Sequence, residues 1–115
     1  MRTPVLLLLL ASGGALCAEE SAQRQTDFGL KVAQKGLWQE ARFRFEPAAR
    51  AEPDNAAALN DLAVALEQMG DFAAARKAYE KALELKPNDV YIQQNYDLFR
   101  EADDKRNRKS RRKGH

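Results

Sequence analysis

Between Ala56 and Leu85 the apolar positions fall at the three-and-four spacing of a helix. Leu59, Leu62, Ala63 and Leu66 form one apolar face. Asn55 or Asp54 stands before that face as an N-cap, and Gly70 follows it where a left-handed residue ends a helix. Asp71 caps a second helix, whose Phe72, Ala75, Tyr79 and Ala82 share one side and which Pro87 closes. The small side chains at Ala75 and Ala82 let two antiparallel helices approach closely. Beyond Asp89, Tyr91, Ile92, Tyr96, Leu98 and Phe99 mark the apolar side of another helix, with Gln93, Gln94, Asp97 and Arg100 on its polar side.

The same pattern occurs earlier in the chain. Gly36 to Asn55 reads GLWQEARFRFEPAARAEPDN, and Gly70 to Asp89 reads GDFAAARKAYEKALELKPND. Without a gap, Gly36 pairs with Gly70, Trp38 with Phe72, Ala41 with Ala75, Phe45 with Tyr79, Ala48 with Ala82 and Pro53 with Pro87. Phe28, Gly29 and Val32 pair in turn with Leu62, Ala63 and Leu66. A fixed period of this length is the mark of a stacked repeat.

From Ala56 to Asp89 the large, small and proline positions resemble the tetratricopeptide repeat (TPR). Ala22 to Asn55 matches more loosely, with Gln25 where a large apolar residue is common. The resemblance implies an all-α fold, a short α-solenoid of two helix-turn-helix repeats (22–55 and 56–89) and a capping helix (90–103), together one TPR domain over 22–100. At least three repeats are usually needed for stability, so partner binding or a homo-oligomer is expected. Pro47 departs from the pattern, since the second copy has Lys81 there. Inside a helix it removes a hydrogen bond and crowds the Phe43 carbonyl, costing about 3 kcal/mol, so the helix from Trp38 is expected to kink or end near Phe45. That bend is either tolerated on an end repeat or shapes a ligand site.

The chain opens MRTPVLLLLLASGGALCAEE. Arg2, the apolar run Val5 to Leu10 and the small residues up to Ala18 have the layout of a secretory signal peptide over 1–18. Cleavage after Ala18 makes the protein exported, periplasmic or secreted, and the mass of the mature N-terminus checks this. Cleavage after Cys17, an uncleaved membrane anchor, a soluble core helix and lipidation at Cys17 are the alternatives; Leu16 is poorly suited to lipidation. Cys17 is the only cysteine, so a chain cut after Ala18 forms no disulfide.

Charge is polarised. Lys105, Arg106, Arg108, Lys109, Arg111, Arg112 and Lys113 fall within nine residues, while the stretch from Glu19 to Asp104 is acidic at about −6 formally. Residues 104–115 are read as a basic, disordered tail, with attachment to a polyanion, such as an anionic membrane surface, an acidic partner or nucleic acid, as the sharper alternative. No aromatic interleaves with the arginines, so base stacking is not indicated.

Catalytic candidates are nearly absent. The single histidine is His115, and no histidine or cysteine cluster has metal-ligand spacing. Glu80 and Glu84 share a helix face with Lys77 and Lys81, a solvated ion-pair arrangement. No enzyme, cofactor, metal or small-molecule substrate is expected. The resemblance implies instead a concave groove, lined by the first helix of each repeat, that holds a peptide or helix of another protein. Carried onto this chain, that face comprises Thr26, Leu30 and Gln34, then Asn60, Val64 and Glu67, with Gln94 and Leu98 from the cap. Leu30, Val64 and Leu98 recur at the repeat period as an apolar strip. Family members that grip a terminal carboxylate place a basic residue and an asparagine where Thr26 and Leu30 stand, so that clamp is not supported.

Overall fold

The computed structural model describes residues 21–114, and the regular structure among them is helical. The leader expected over 1–18, with Cys17, and His115 lie outside the described residues. The chain is helical over 21–34 (α1), then over Trp38–Ala51 (α2), Ala56–Gln68 (α3), Phe72–Leu85 (α4) and Val90–Lys113 (α5).

Capping chemistry sets the boundaries. Gly36 and Gly70 adopt φ of 77° and 84°, the left-handed region that side chains other than hydrogen resist. After α1, Gly36 N–H donates to the Ala33 carbonyl and Leu37 N–H to that of Val32; after α3, Gly70 donates to Glu67 and Asp71 to Leu66. This paired stop satisfies the carbonyls that a helix end leaves open. Asn55 Oδ1 accepts from Ala58 N–H at 3.0 Å, and Asp71 Oδ1 from Ala74 N–H at 3.4 Å. Asp89 Oδ1 accepts from Tyr91 and Ile92 at 3.0 and 3.2 Å. At α2 the equivalent position is Leu37, which makes no side-chain cap.

Central α3 packs against α2, α4 and α5. Its alanines make this possible: Ala56, Ala58, Ala63 and Ala65 are all buried, along with Leu66. One core cluster joins Val32, Ala41, Phe45 and Ala65, and a second joins Ala63, Leu66, Ala75, Tyr79 and Phe99. A third, at the far end of the helices, joins Ala56, Ala82 and Ile92. In the first repeat the Phe45 ring lies against the backbone of α1, where a Cβ on Gly29 would come within 2.5 Å of it.

The two outer helices bury complementary halves of what α3 buries. Thirty-four residues before Ala58 and Ala65, α1 carries Arg24 and Lys31; thirty-four after Ala63 and Leu66, α5 carries Asp97 and Arg100, all exposed. Charge thus stands where α3 places core residues, and those sides of α1 and α5 face water.

Three expectations are corrected. The helix from Trp38 does not end near Phe45 but runs through Pro47 to Ala51. Ala48 and Ala49 beyond the proline are buried, and an Arg42–Glu46 ion pair at 2.7 Å braces the turn before it. Tertiary packing therefore outweighs the lost backbone bond. Second, residues 104–113 are not a disordered tail, because α5 continues as one helix through Lys113. Arg106 lies 3.4 Å from the centre of the Phe72 ring on α4 and pairs with Asp103 at 3.1 Å, and Lys105 pairs with Glu101 at 3.6 Å. Cations in the last turns also complement the negative end of the helix dipole. Asp103 in turn holds Arg76 of α4 at 2.8 Å. Third, Tyr91 and Leu98 are exposed, so Ile92 and Phe99 carry the buried side of α5, with Tyr96 half-buried.

Candidate functional site

The face implied by the resemblance divides when its residues are located. Leu30 and Gln34 of α1 and Asn60 and Val64 of α3 line one depression of about 280 Å³, with Ala33, with Trp38 and Phe45 of α2, with Asp61, and with Asn95 of α5. The other four residues do not join them there. Thr26 donates its hydroxyl to the Ala22 carbonyl of its own helix at 3.0 Å. Glu67 accepts from the Tyr79 hydroxyl at 2.9 Å, which joins α3 to α4. Gln94 lies in a separate hollow at the start of α5, among Pro87, Asn88 and Asp89. Leu98 stands exposed on α5.

Repeat geometry explains the gathering. Leu30 and Val64 occupy the same place in successive first helices, so stacking sets them side by side. Asn60 and Asn95 come together across α3 and α5, with Asn95 Nδ2 donating to Asn60 Oδ1 at 3.1 Å. Trp38 and Phe45, from the second helix of the first repeat, add aromatic side chains to the lining.

Asp61 and Asn95 were not among the residues expected here. A sequence signal for Asp61 exists, because its neighbours three and four places away are Ala57, Ala58, Val64 and Ala65. No cation shares its helix face, as one would around a solvated acid. Burial pushes the Asp61 carboxyl up to about 6, because desolvation penalises the ionised form and no nearby positive charge offsets it. Asp27, one repeat earlier, is exposed and accepts from Gln23 Nε2 at 2.8 Å.

Two other ionisable groups are matched by a partner on a second helix. The Tyr79 phenol is held well above its ordinary range by burial and then by the Glu67 carboxylate that it bonds, so it remains a donor. The Asp103 carboxyl is held below its usual range, first by the Arg76 hydrogen bond and further by Arg106. Of the basic residues near the C-terminus, Lys105, Arg108, Lys109, Arg111, Arg112 and Lys113 are exposed, and Arg106 is half-buried. Among the described residues no group of three or more histidine, cysteine, aspartate or glutamate side chains is placed to hold a metal ion, and no helix is long and apolar enough to cross a membrane.

The tetratricopeptide repeat family matches residues 26–90. Among solved structures, the TPR domain of Sgt2 from Aspergillus fumigatus superimposes with a TM-score of 0.70 at 21% identity, over 76% of this chain and 59% of that one. The chain thus spans less than two thirds of that solved domain. No curated protein matches the chain.

Proposed function

The chain belongs to the tetratricopeptide repeat family, whose fold is that of a protein–protein interaction module, and from that premise we propose that its concave side holds a peptide or helical segment of another protein and performs no catalysis. The observation that carries this reading is the depression shared by α1, α2, α3 and α5, which Leu30 and Val64, a repeat apart, line together with Trp38 and Phe45. Apolar side chains left uncovered in a concave site, beside a few fixed polar groups, suit a ligand that brings both hydrophobic and hydrogen-bonding parts. The Asn60–Asn95 hydrogen bond ties α3 to α5 and keeps two amide groups in the lining.

A second reading is favoured by the basic end of α5, whose exposed cations suit an anionic surface or other polyanion. Such binding gains from counterion release and weakens steeply with salt. The two readings separate in one experiment: partner capture from the native host with the full chain, with a form lacking 105–115, and with Val64→Lys, each at low and high salt. Groove binding survives truncation and salt and falls at least about tenfold in Val64→Lys, where a charge meets an apolar contact. Loss on truncation and in salt, with Val64→Lys unaffected, overturns the groove reading in favour of the polyanion.

A further inference from the structure

Seven acidic side chains among the described residues are partly covered: Glu46, Glu52, Asp61, Glu67, Asp71, Asp89 and Asp103. Six of them accept a hydrogen bond. Glu46 takes one from Arg42, Glu52 from Asn55, Glu67 from Tyr79 and Asp103 from Arg76. Asp71 and Asp89 cap helices. Among the described residues, Asp61 alone of the seven has no hydrogen-bond or ion-pair partner. It is also the only charged residue of the depression described above, whose other lining side chains, from all four helices, are uncharged and carry no group that titrates near neutral pH. A half-covered carboxylate without a donor is costly unless something supplies one.

We infer that Asp61 receives a cationic side chain, the ammonium of a lysine or the guanidinium of an arginine, from the partner segment held in the groove; the inference rests on the groove reading above. Charge complementarity selects the occupant, since the lining holds one negative charge and no positive one. The size of the hollow suits one long side chain rather than a folded element. Trp38 and Phe45 line the same space, and aromatic rings favour both the aliphatic stem and the charged head of lysine or arginine. The amide pair Asn60–Asn95 adjoins the carboxylate and offers hydrogen bonds to the backbone on either side of the cation. The raised proton affinity of Asp61 agrees with this arrangement, because the attraction of a bound cation would offset the desolvation penalty on its ionised form.

The test uses displayed random heptapeptides selected in parallel on the full chain and on Asp61→Asn. Asparagine is the residue this chain carries at the equivalent place of α5, so the variant is compatible with the helix. Trp38 is the only tryptophan, and its fluorescence reports binding at the site. Peptides selected on the native chain should carry lysine or arginine at one fixed position, and those selected on the variant should not. A synthetic peptide of that sequence should bind Asp61→Asn about tenfold more weakly. Replacing its cation by norleucine should cost a similar factor on the native chain and little on the variant. Binding to the native chain should also weaken from pH 7 to pH 5, while the variant stays flat. Peptides that move Trp38 and lose affinity in Val64→Lys, yet show no preference for a cation, would overturn the role of Asp61 and leave the groove reading intact. Peptide binding insensitive to both substitutions overturns both. A peptide of residues 105–113 that binds as tightly as the best selected sequence would make a second copy of the chain the occupant and overturn a separate partner.

Discussion

Asp61 and Asp103 are both acids held between helices, and their surroundings drive them in opposite directions. Asp103 accepts from two arginines and ionises more readily than in the unfolded chain. Its contribution to stability is present above the unfolded value near 4 and is lost as pH falls through the lower folded value. Asp61 is raised to about 6 by burial, so between pH 4 and 6 the folded chain keeps a proton that the unfolded chain releases. Stability therefore declines as pH rises through that window and levels off above it. Asp61→Asn should be more stable than the native chain at pH 7 by about 1–3 kcal/mol, and the two should converge below about pH 4. Urea unfolding at the two pH values measures this; equal stabilities at pH 7 would show that Asp61 carries no penalty. At this scale the sequence was informative wherever a residue acts on its own backbone. Asn55, Asp71, Gly36 and Gly70 do what their chemistry predicts. Asp61 was harder to read because its character depends on Trp38, Phe45 and Asn95, which only folding brings near.

The period of thirty-four residues predicts the five helices and most of their ends, because caps and stops are local. Two helices are longer than local rules suggest. In α2 the cost of Pro47 is met by the buried Ala48 and Ala49 beyond it, a contribution that no neighbour in sequence reveals. Pro47→Ala restores a donor for the Phe43 carbonyl and should stabilise the fold by about 1–2 kcal/mol, less than the full helix-interior cost because proline also stiffens the unfolded chain. Chemical denaturation reads the change, and a destabilised variant would mean that the proline ring makes packing contacts worth more than the lost bond. In α5, a run of like charges suggests disorder. The run lies downstream of Glu101, Asp103 and Asp104, however, and its Arg106 rests on Phe72. Pairing at helical spacing and one contact across to α4 turn a nominal tail into further turns of helix.

For the molecule as a whole, α5 closes the stack through very few residues. Phe99 is fully buried, with its ring 5.4 Å from that of Tyr79 and 6.5 Å from that of Tyr96. Phe99→Ala should cost about 3–5 kcal/mol, a large share of the roughly 5–15 kcal/mol available to a domain of this kind. A thermal melt followed by circular dichroism would show the midpoint collapsing; a small change would mean that α5 is an accessory to a self-sufficient pair of hairpins. The family and the helical stack were legible in the sequence because core positions repeat. Of the eight residues expected at the candidate site, Leu30, Gln34, Asn60 and Val64 line one depression, whereas Thr26 and Glu67 are hydrogen-bonded within the fold, Gln94 lies in a separate hollow and Leu98 faces outward. Repetition locates a face, but the hydrogen bonds that engage its members differ from repeat to repeat. The helical continuation of α5 has a mechanical consequence. A helix rises about 1.5 Å per residue, so Arg106 to Lys113 form a rigid spur of about 10 Å anchored through Phe99 to the core. A floppy tail could only tether, whereas this spur gives its charges a bearing. An anionic surface that engaged this spur, as the second reading proposes, would also set the angle at which the depression between α1, α2, α3 and α5 is presented.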